Sequence, residues 1–302
     1  MINLVKDIEK ANCVTHSGTM HADDVFATAF LELYKKDIKL LRTTGVDAKD
    51  YKIKIIYDIG YGEFDHHQKD VKTRPNGIKY SSFGLLWEKY GKKYLKQEKI
   101  ENVDEIFNFI VKDFVEQVDA IDNGQFPKIE ASYKVKTLSD IFKLFNPKTF
   151  SKEETDKQFI KAVKVAKVLL EEEILQAITK VKANKIIIDL LKKNNEKQYL
   201  ILNEYLPFEE TILNEELGKN ILFVIYPSTR GGYAIKTLPK SNEDKSSRML
   251  FPSTWKGLRD EELEEVSKIK GLIFCHNSLF IATATSLDVA IEVVNKVIEK
   301  EV

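Results

Sequence analysis

Cysteine is almost missing from this 302-residue chain: Cys13 and Cys275 are the only two, far apart, with no Cys-x-x-Cys pair. That pattern excludes a disulfide scaffold, a zinc ribbon and a redox dithiol, and it fits a reducing compartment. Long apolar runs are missing as well. Lys or Glu interrupts every candidate before it reaches the ~18 residues that a membrane span needs. Neither sign of charge is in excess, since 47 Lys+Arg balance 47 Asp+Glu. Bulk electrostatics therefore gives no support to nucleic-acid binding, and a nuclease would need a local basic groove. The first ten residues carry acids and lack the apolar core of a secretory leader. A cytoplasmic protein with no membrane partner is the expectation. Neither an internal repeat nor a low-complexity segment is visible.

What is present fits two domains, because the length exceeds that of a usual single core. Cys13, Val14 and Thr15 predict a short strand that delivers His16 into a turn, and Val25, Phe26, Ala29, Phe30 and Leu33 recur at helical spacing. Ile38 to Leu41 reads as a second strand. Ile53, Ile55, Ile56 and Tyr57 read as a third, buried on both faces as in a parallel sheet, and it ends at Asp58. Ligands in open α/β sheets gather beyond the carboxyl ends of strands, so His16 and Asp58 are expected at one edge. Helices are predicted from Ser81 to Tyr90 and over Ile106, Ile110, Phe114, Val115 and Val118, the latter stopping at Asn123-Gly124. Ser151-Lys152-Glu153-Glu154 has the form of a capping box and starts an amphipathic stretch to about Val181. Beyond it, Ile221–Tyr226 with Tyr233–Thr237, and Leu272–Cys275 with Leu279–Thr283, read as hairpins, and Ser286 caps a terminal helix. The expected architecture is α/β: a domain over 1–150 with a mainly parallel sheet flanked by helices, a linker helix over 151–183, and a smaller α+β domain over 184–302.

Histidine is scarce, and four of the five lie within the first 67 residues: His16, His21, His66 and His67, with His276 alone in the C-terminal half. Around the first four stand Asp23, Asp24, Asp58 and Asp65, and further on Asp119 and Asp122, three apart on neighbouring parts of one helix face. Each element has a plain structural alternative. The acids after His21 can cap a helix, Asp58 can form a turn, and Asp119 and Asp122 can be surface acids. As a set they offer the mixed nitrogen and oxygen donors that manganese, zinc or iron accept. Two metals roughly 3.5–4 Å apart need six or more such ligands. His16, His21, Asp23, Asp58, His66 and one late Asp supply that number.

The order of these residues resembles the four-motif pattern of the DHH phosphoesterase superfamily. More closely, Thr15–Asp24 (THSGTMHADD), Phe64–Gln68 (FDHHQ), Tyr80–Trp87 (YSSFGLLW) and Val118–Gly124 (VDAIDNG) resemble the melanocyte-proliferating-gene-one (Myg) family. Ser247-Arg248, Pro252, Trp255–Arg259 and Phe274-Cys275-His276 extend the likeness over nearly the whole chain. The resemblance implies a metal-dependent hydrolase with a DHH-type N-terminal domain and a substrate-binding C-terminal one. It implies that His16, His21 and Asp58 hold one ion. Asp23, Asp58, His66 and either Asp119 or Asp122 would hold the other, with Asp119 preferred. Asp65 would orient the neighbouring imidazole, and His67 would contact the scissile phosphate or its leaving oxygen. Where the superfamily usually has Asp, this chain has His21, which favours manganese over magnesium, with zinc or iron as alternatives.

The activity so implied is hydrolysis of phosphodiesters by a water activated between two cations, as a 3′–5′ exonuclease on RNA or short oligonucleotides. A small-molecule phosphatase or pyrophosphatase, or a non-catalytic metal-binding regulatory protein, stands as the alternative, and a homodimer stays open. Arg74, Arg248, Trp255, Arg259 and His276 are candidate substrate contacts. Basic side chains around an aromatic can hold a nucleotide by charge and stacking. A charged surface loop with a packing tryptophan explains Lys240–Arg259 equally well.

Overall fold

The structure is a computed structural model that describes residues 2–51, 54–148, 151–195 and 197–299. It divides into two compact units, residues 1–178 and 179–302.

The first unit is built on short parallel strands: β1 (Ile2–Leu4), β2 (Cys13–His16), β3 (Ile38–Thr43) and β4 (Ile55–Ile56), in the order β1-β3-β2-β4. Parallel pairing sets Thr15 against Arg42 and His16 against Thr43, while Val14 faces Ile56. Strands of this kind are apolar on both sides. Val14, Leu41 and Ile56 share one cluster with Ala11, Val46 and Tyr51. Ile53, expected in the third strand, lies outside the described residues.

Helix α1 (Ala22–Lys35) follows β2 and packs against β3 and against α2 (Ser82–Gln97). An aromatic core forms behind it. Phe26 lies 5.0–5.6 Å, ring centre to ring centre, from Phe83, Phe114 and Phe142. Each such ring contributes about 1.5–3 kcal/mol by burial. The predicted helix after Ile106 is in fact three pieces: α3 (Val103–Ile110), a π-helical turn (Val111–Val115) and α4 (Glu116–Asp122). Gly124 takes φ +73°, which ends the run where the sequence placed its stop. A short α5 (Leu138–Phe142), capped by Thr137, was not foreseen.

Helix α6 (Lys152–Lys192) begins at the Ser151 cap, whose Oγ accepts from the Glu154 N–H at 3.2 Å. The helix was expected to stop near Val181. It continues to Lys192 because Ala183, Ile187 and Leu191, four apart, keep one apolar face, which is buried in the core of the second unit. The division between the units falls inside this helix.

The second unit holds a five-stranded sheet of order β5-β6-β7-β9-β8, from β5 (Tyr199–Ile201), β6 (Phe223–Pro227), β7 (Tyr233–Thr237), β8 (Leu272–Cys275) and β9 (Ile281–Ala284). The two predicted hairpins are present as antiparallel pairs, whereas β5, which the sequence reading missed, joins β6 in parallel. Alternation along β6 sorts the two faces. Phe223 and Ile225 join a core with Val293 and Val294 of α9 (Leu287–Glu299), and Val224 joins the opposite one with Ile187. α7 (Glu209–Asn214) adds Ile212 to the core with Val224, and α8 (Asp260–Ser267) adds Leu263 to the one with Phe223. Among the described residues, no helix is long and apolar enough to cross a membrane.

Candidate metal centre

The site forms where β2, β4, the start of α1, the segment after β4 and the end of α4 meet. β2 ends in His16. Its Nδ1 lies 3.1 Å from the Ser17 carbonyl oxygen. Only a protonated Nδ1 can bond a carbonyl, so Nε2 of the neutral ring is left as an acceptor. That nitrogen faces two carboxylates, Asp24 Oδ2 at 3.0 Å and Asp58 Oδ2 at 3.1 Å. Asp58 sits just beyond β4 with φ +56°, a left-handed conformation that Asp tolerates better than most residues. Its backbone N–H is tied to the Phe64 carbonyl at 3.0 Å, which keeps the chain turned so that the carboxylate is buried. Such strain is held where surrounding structure enforces it, often at functional sites.

Asp65, His66 and His67 follow. Asp65 accepts from the Tyr61 and His67 backbone N–H groups and lies 2.9 Å from His67 Nδ1. The half-exposed His67 imidazole is pushed up in pKa, mainly by this hydrogen bond to Asp65 and further by Asp58. Burial works to raise the Asp65 carboxyl, but its hydrogen bonds with His67 and Tyr61 hold it below the usual range. His66 is buried, stacks on His67 at 4.2 Å, and places Nε2 3.0 Å from Asp122 Oδ2. Its Nδ1 lies 3.6 Å from Asp58 Oδ1 and 3.8 Å from Asp23 Oδ2. His21 caps α1 from a half-exposed position, 3.7 Å from Asp122 Oδ1.

Three ligand-competent groups result: His16–Asp24–Asp58, Asp58–His66–His67, and His21–Asp23–Asp122. Asp23, Asp24 and Asp58 are buried, and five of their oxygens lack any well-directed hydrogen bond. Burial, then the neighbouring Asp58, Asp122 and Asp24 charges, push the Asp23 carboxyl well above its ordinary value. Buried carboxylates are stable only when paired or ligating a cation, so these donors fit divalent metal ions.

The structure brings His16, His21, Asp23, Asp58, His66, His67 and Asp122 together. Asp119, preferred from the sequence as the late ligand, is placed elsewhere. Its carboxylate accepts from Arg74 Nη2 at 2.6 Å, Ser81 Oγ at 2.5 Å and the Gly84 N–H at 3.0 Å. A Cβ at residue 84 would stand 1.9 Å from Asp119 Oδ2, so the close approach requires glycine there. Arg74, expected on an open loop in contact with phosphate, is 7% exposed, stacked at 3.7 Å on Tyr80 and paired with Asp119. Asp119 and Tyr80 thus occupy one edge and one face of its guanidinium.

The C-terminal candidates also differ from a solvent-facing groove. Arg248 donates to the carbonyls of Pro239, Gly218, Lys219 and Ile221, which occupies it within the fold. Trp255 is 2% exposed and packs on Phe251, so its ring offers no open face to a base. Arg259 is exposed and lies over Phe274 at 5.2 Å. His276 is half-buried, with Nδ1 accepting from the Ser278 N–H at 3.0 Å. Asp24, which the sequence reading did not count among the ligands, lies in the cluster with Oδ2 3.0 Å from His16 Nε2. Its signal was present as the second acid of the His21-Ala22-Asp23-Asp24 run, but capping accounted for it.

A buried cluster of carboxylates and imidazoles at the carboxyl edge of a parallel sheet makes this an α/β protein with a candidate divalent-metal site. The family model MYG1_exonuc, described as "Uncharacterised protein family (UPF0160)", matches residues 12–298. The chain belongs to this family. It is 31% identical to the human "MYG1 exonuclease" over 88% of this chain and 80% of that one. Against the rat "MYG1 exonuclease" it is 32% identical, over 88% and 79%. Against the "MYG1 protein YER156C" of Saccharomyces cerevisiae it is 27% identical, over 96% of each. Among solved structures, the "pGpG-specific phosphodiesterase" PggH of Vibrio aligns over 96% of this chain and 98% of that one. The identity is 17% and the TM-score 0.27, too slight a likeness to bear on fold or function.

Proposed function

We propose that this chain is a divalent-metal-dependent phosphodiesterase, acting as a 3′–5′ exonuclease on RNA or short oligonucleotides. The observation that carries the reading is the set of buried oxygens of Asp23, Asp24 and Asp58 without hydrogen-bond partners, ringed by His16, His66 and Asp122. Membership of a family whose human and rat members are named exonucleases supports it. His16, Asp58, His66, Asp23, Asp122 and His21 would hold one or two ions, for which manganese suits the donor set. Bound there, such ions supply Lewis acidity toward water and phosphoryl oxygen.

The chain's own residues set up the rest. Asp65 anchors His67 Nδ1, and this hydrogen bond strengthens the imidazole's hold on its proton. His67 is thus a proton donor on the half-exposed side of the cluster, suited to a leaving oxygen that gains negative charge. Aliphatic strand residues Val14 and Ile56 and the buried carboxylates fix the donors before any substrate arrives.

The test is a hydrolysis panel with manganese: RNA with a free 3′ end, the same RNA blocked at its 3′ end, DNA, dinucleotides and pyrophosphate. Stepwise shortening of the free RNA only, lost in His67→Ala and His66→Ala, is the expected result. Release from pyrophosphate alone points to a small-molecule phosphatase, and no hydrolysis of any substrate rejects the enzyme reading.

A further inference from the structure

We infer that Asp24, which the family pattern leaves without a ligand role, ligates a divalent cation together with His16 and Asp58. The inference rests on the metal-dependent reading above and names the ligands of one ion within it.

Asp24 stands in the first turn of α1 and is wholly buried. Its two oxygens have separate tasks. Oδ1 accepts the His21 backbone N–H at 2.9 Å, which caps the helix. Oδ2 has no well-directed hydrogen bond, although it lies 3.0 Å from His16 Nε2. Asp58 Oδ2 repeats the pattern, 3.1 Å from the same nitrogen and likewise without a directed bond. The contacts therefore have the length of hydrogen bonds without their direction. All three atoms lie within 4.8 Å of one another.

The arrangement calls for positive charge among its members. Nδ1 is engaged by the Ser17 carbonyl, so Nε2 is the atom that His16 turns to the two carboxylate oxygens. Two buried carboxylates converging on one imidazole nitrogen need positive charge beside them, a proton on Nε2 in the ion-free chain or a cation in the loaded one. Neighbouring ligands of an octahedral ion with bonds of about 2.1 Å lie about 3 Å apart, the spacing seen here. Asp58 belongs to this group and also to the Asp58–His66–His67 group, so it is the residue the groups share. A cap alone needs one oxygen and no charge, and Asn fills that role as well as Asp. The full carboxylate is what the cap leaves unexplained.

Asp24→Asn separates the two tasks, because it keeps a capping oxygen and removes the charge. Manganese binding to the full-length chain is measured by titration calorimetry and by metal analysis. The expected result is one ion fewer per chain, or one ion bound more than about 100-fold more weakly, since an outer residue costs only about 10–100-fold. Wild-type stoichiometry in Asp24→Asn, with affinity inside the range of an outer residue, overturns the assignment. Asp24→Ser keeps a capping hydroxyl and must lose the same ion, which settles the case should the Asn variant fold poorly. Cobalt(II) absorbance adds a readout independent of turnover: the wild-type visible spectrum must change in both variants. A wild-type chain that binds no divalent ion sinks the proposed function itself, whereas wild-type binding retained by both variants sinks only the role of Asp24.

Discussion

Arg74 Nη2 lies 2.6 Å from Asp119 Oδ2 in a place that neither side chain shares with solvent, and the pair ties the loop before α2 to helix α4. Breaking a buried pair leaves one charge uncompensated. Arg74→Ala should lower the unfolding free energy by about 3–5 kcal/mol in denaturant titrations while leaving the number of bound metal ions unchanged. Burial holds the Asp119 carboxyl at about 6, against the lowering influence of Arg74 and Ser81. A carboxyl raised in the fold contributes stability that is present at low pH and lost as the pH rises through the folded value. In Arg74→Ala the loss should extend to higher pH, because one lowering influence is gone.

Metal binding should release protons. Burial pulls the His16 imidazole down, but the adjacent Asp24 and Asp58 carboxylates prevail and hold it at about 11, so it is protonated in the metal-free chain at neutral pH. An ion must displace that proton, so affinity rises with pH, by about tenfold per unit for each proton released. Calorimetry at one pH in two buffers of different ionisation heat counts the protons. Equal heats in both buffers would contradict the assignment of His16.

Neither thiol should be reactive in the folded chain. Burial pushes Cys13 up to about 12 and Cys275 up to about 11, so thiolate is scarce at pH 8. Thiol titration should find both silent in the native protein and both reactive in denaturant, with activity unaffected by alkylating agents.

Trp255→Ala should act on stability. The ring is buried with Phe223, Phe251 and Leu263, and its removal should cost about 3–5 kcal/mol. Thermal unfolding of the variant checks this. An unchanged melting temperature with weakened RNA binding would restore the ring to a substrate groove.

The parallel sheet and the meeting of His16, Asp58 and His66 were legible because continuous apolar runs end at chemically distinctive residues. Short pieces were not: β1, β5 and α5 carry too few residues for a period to show. The choice between Asp119 and Asp122 was beyond sequence reasoning for a different reason. A π-helical turn at Val111–Val115 precedes both and changes which face of α4 turns toward the cluster, and no composition rule announces it. Arg74, Arg248 and Trp255 looked like ligand contacts because their partners, Asp119, the carbonyl cluster around Gly218, and Phe251, are distant in the chain or hidden in backbone atoms. Asp24 escaped notice because a local role, the helix cap, was sufficient to account for it.

The central claim, that one cation-binding centre made of these residues hydrolyses phosphodiesters, is tested most directly at Asp58. Metal content and RNA hydrolysis should be measured side by side for the wild-type chain and for Asp58→Ala. The account predicts that the variant loses bound metal and activity together while keeping its helical content. A variant that retains its full metal content, or its full activity, would contradict it.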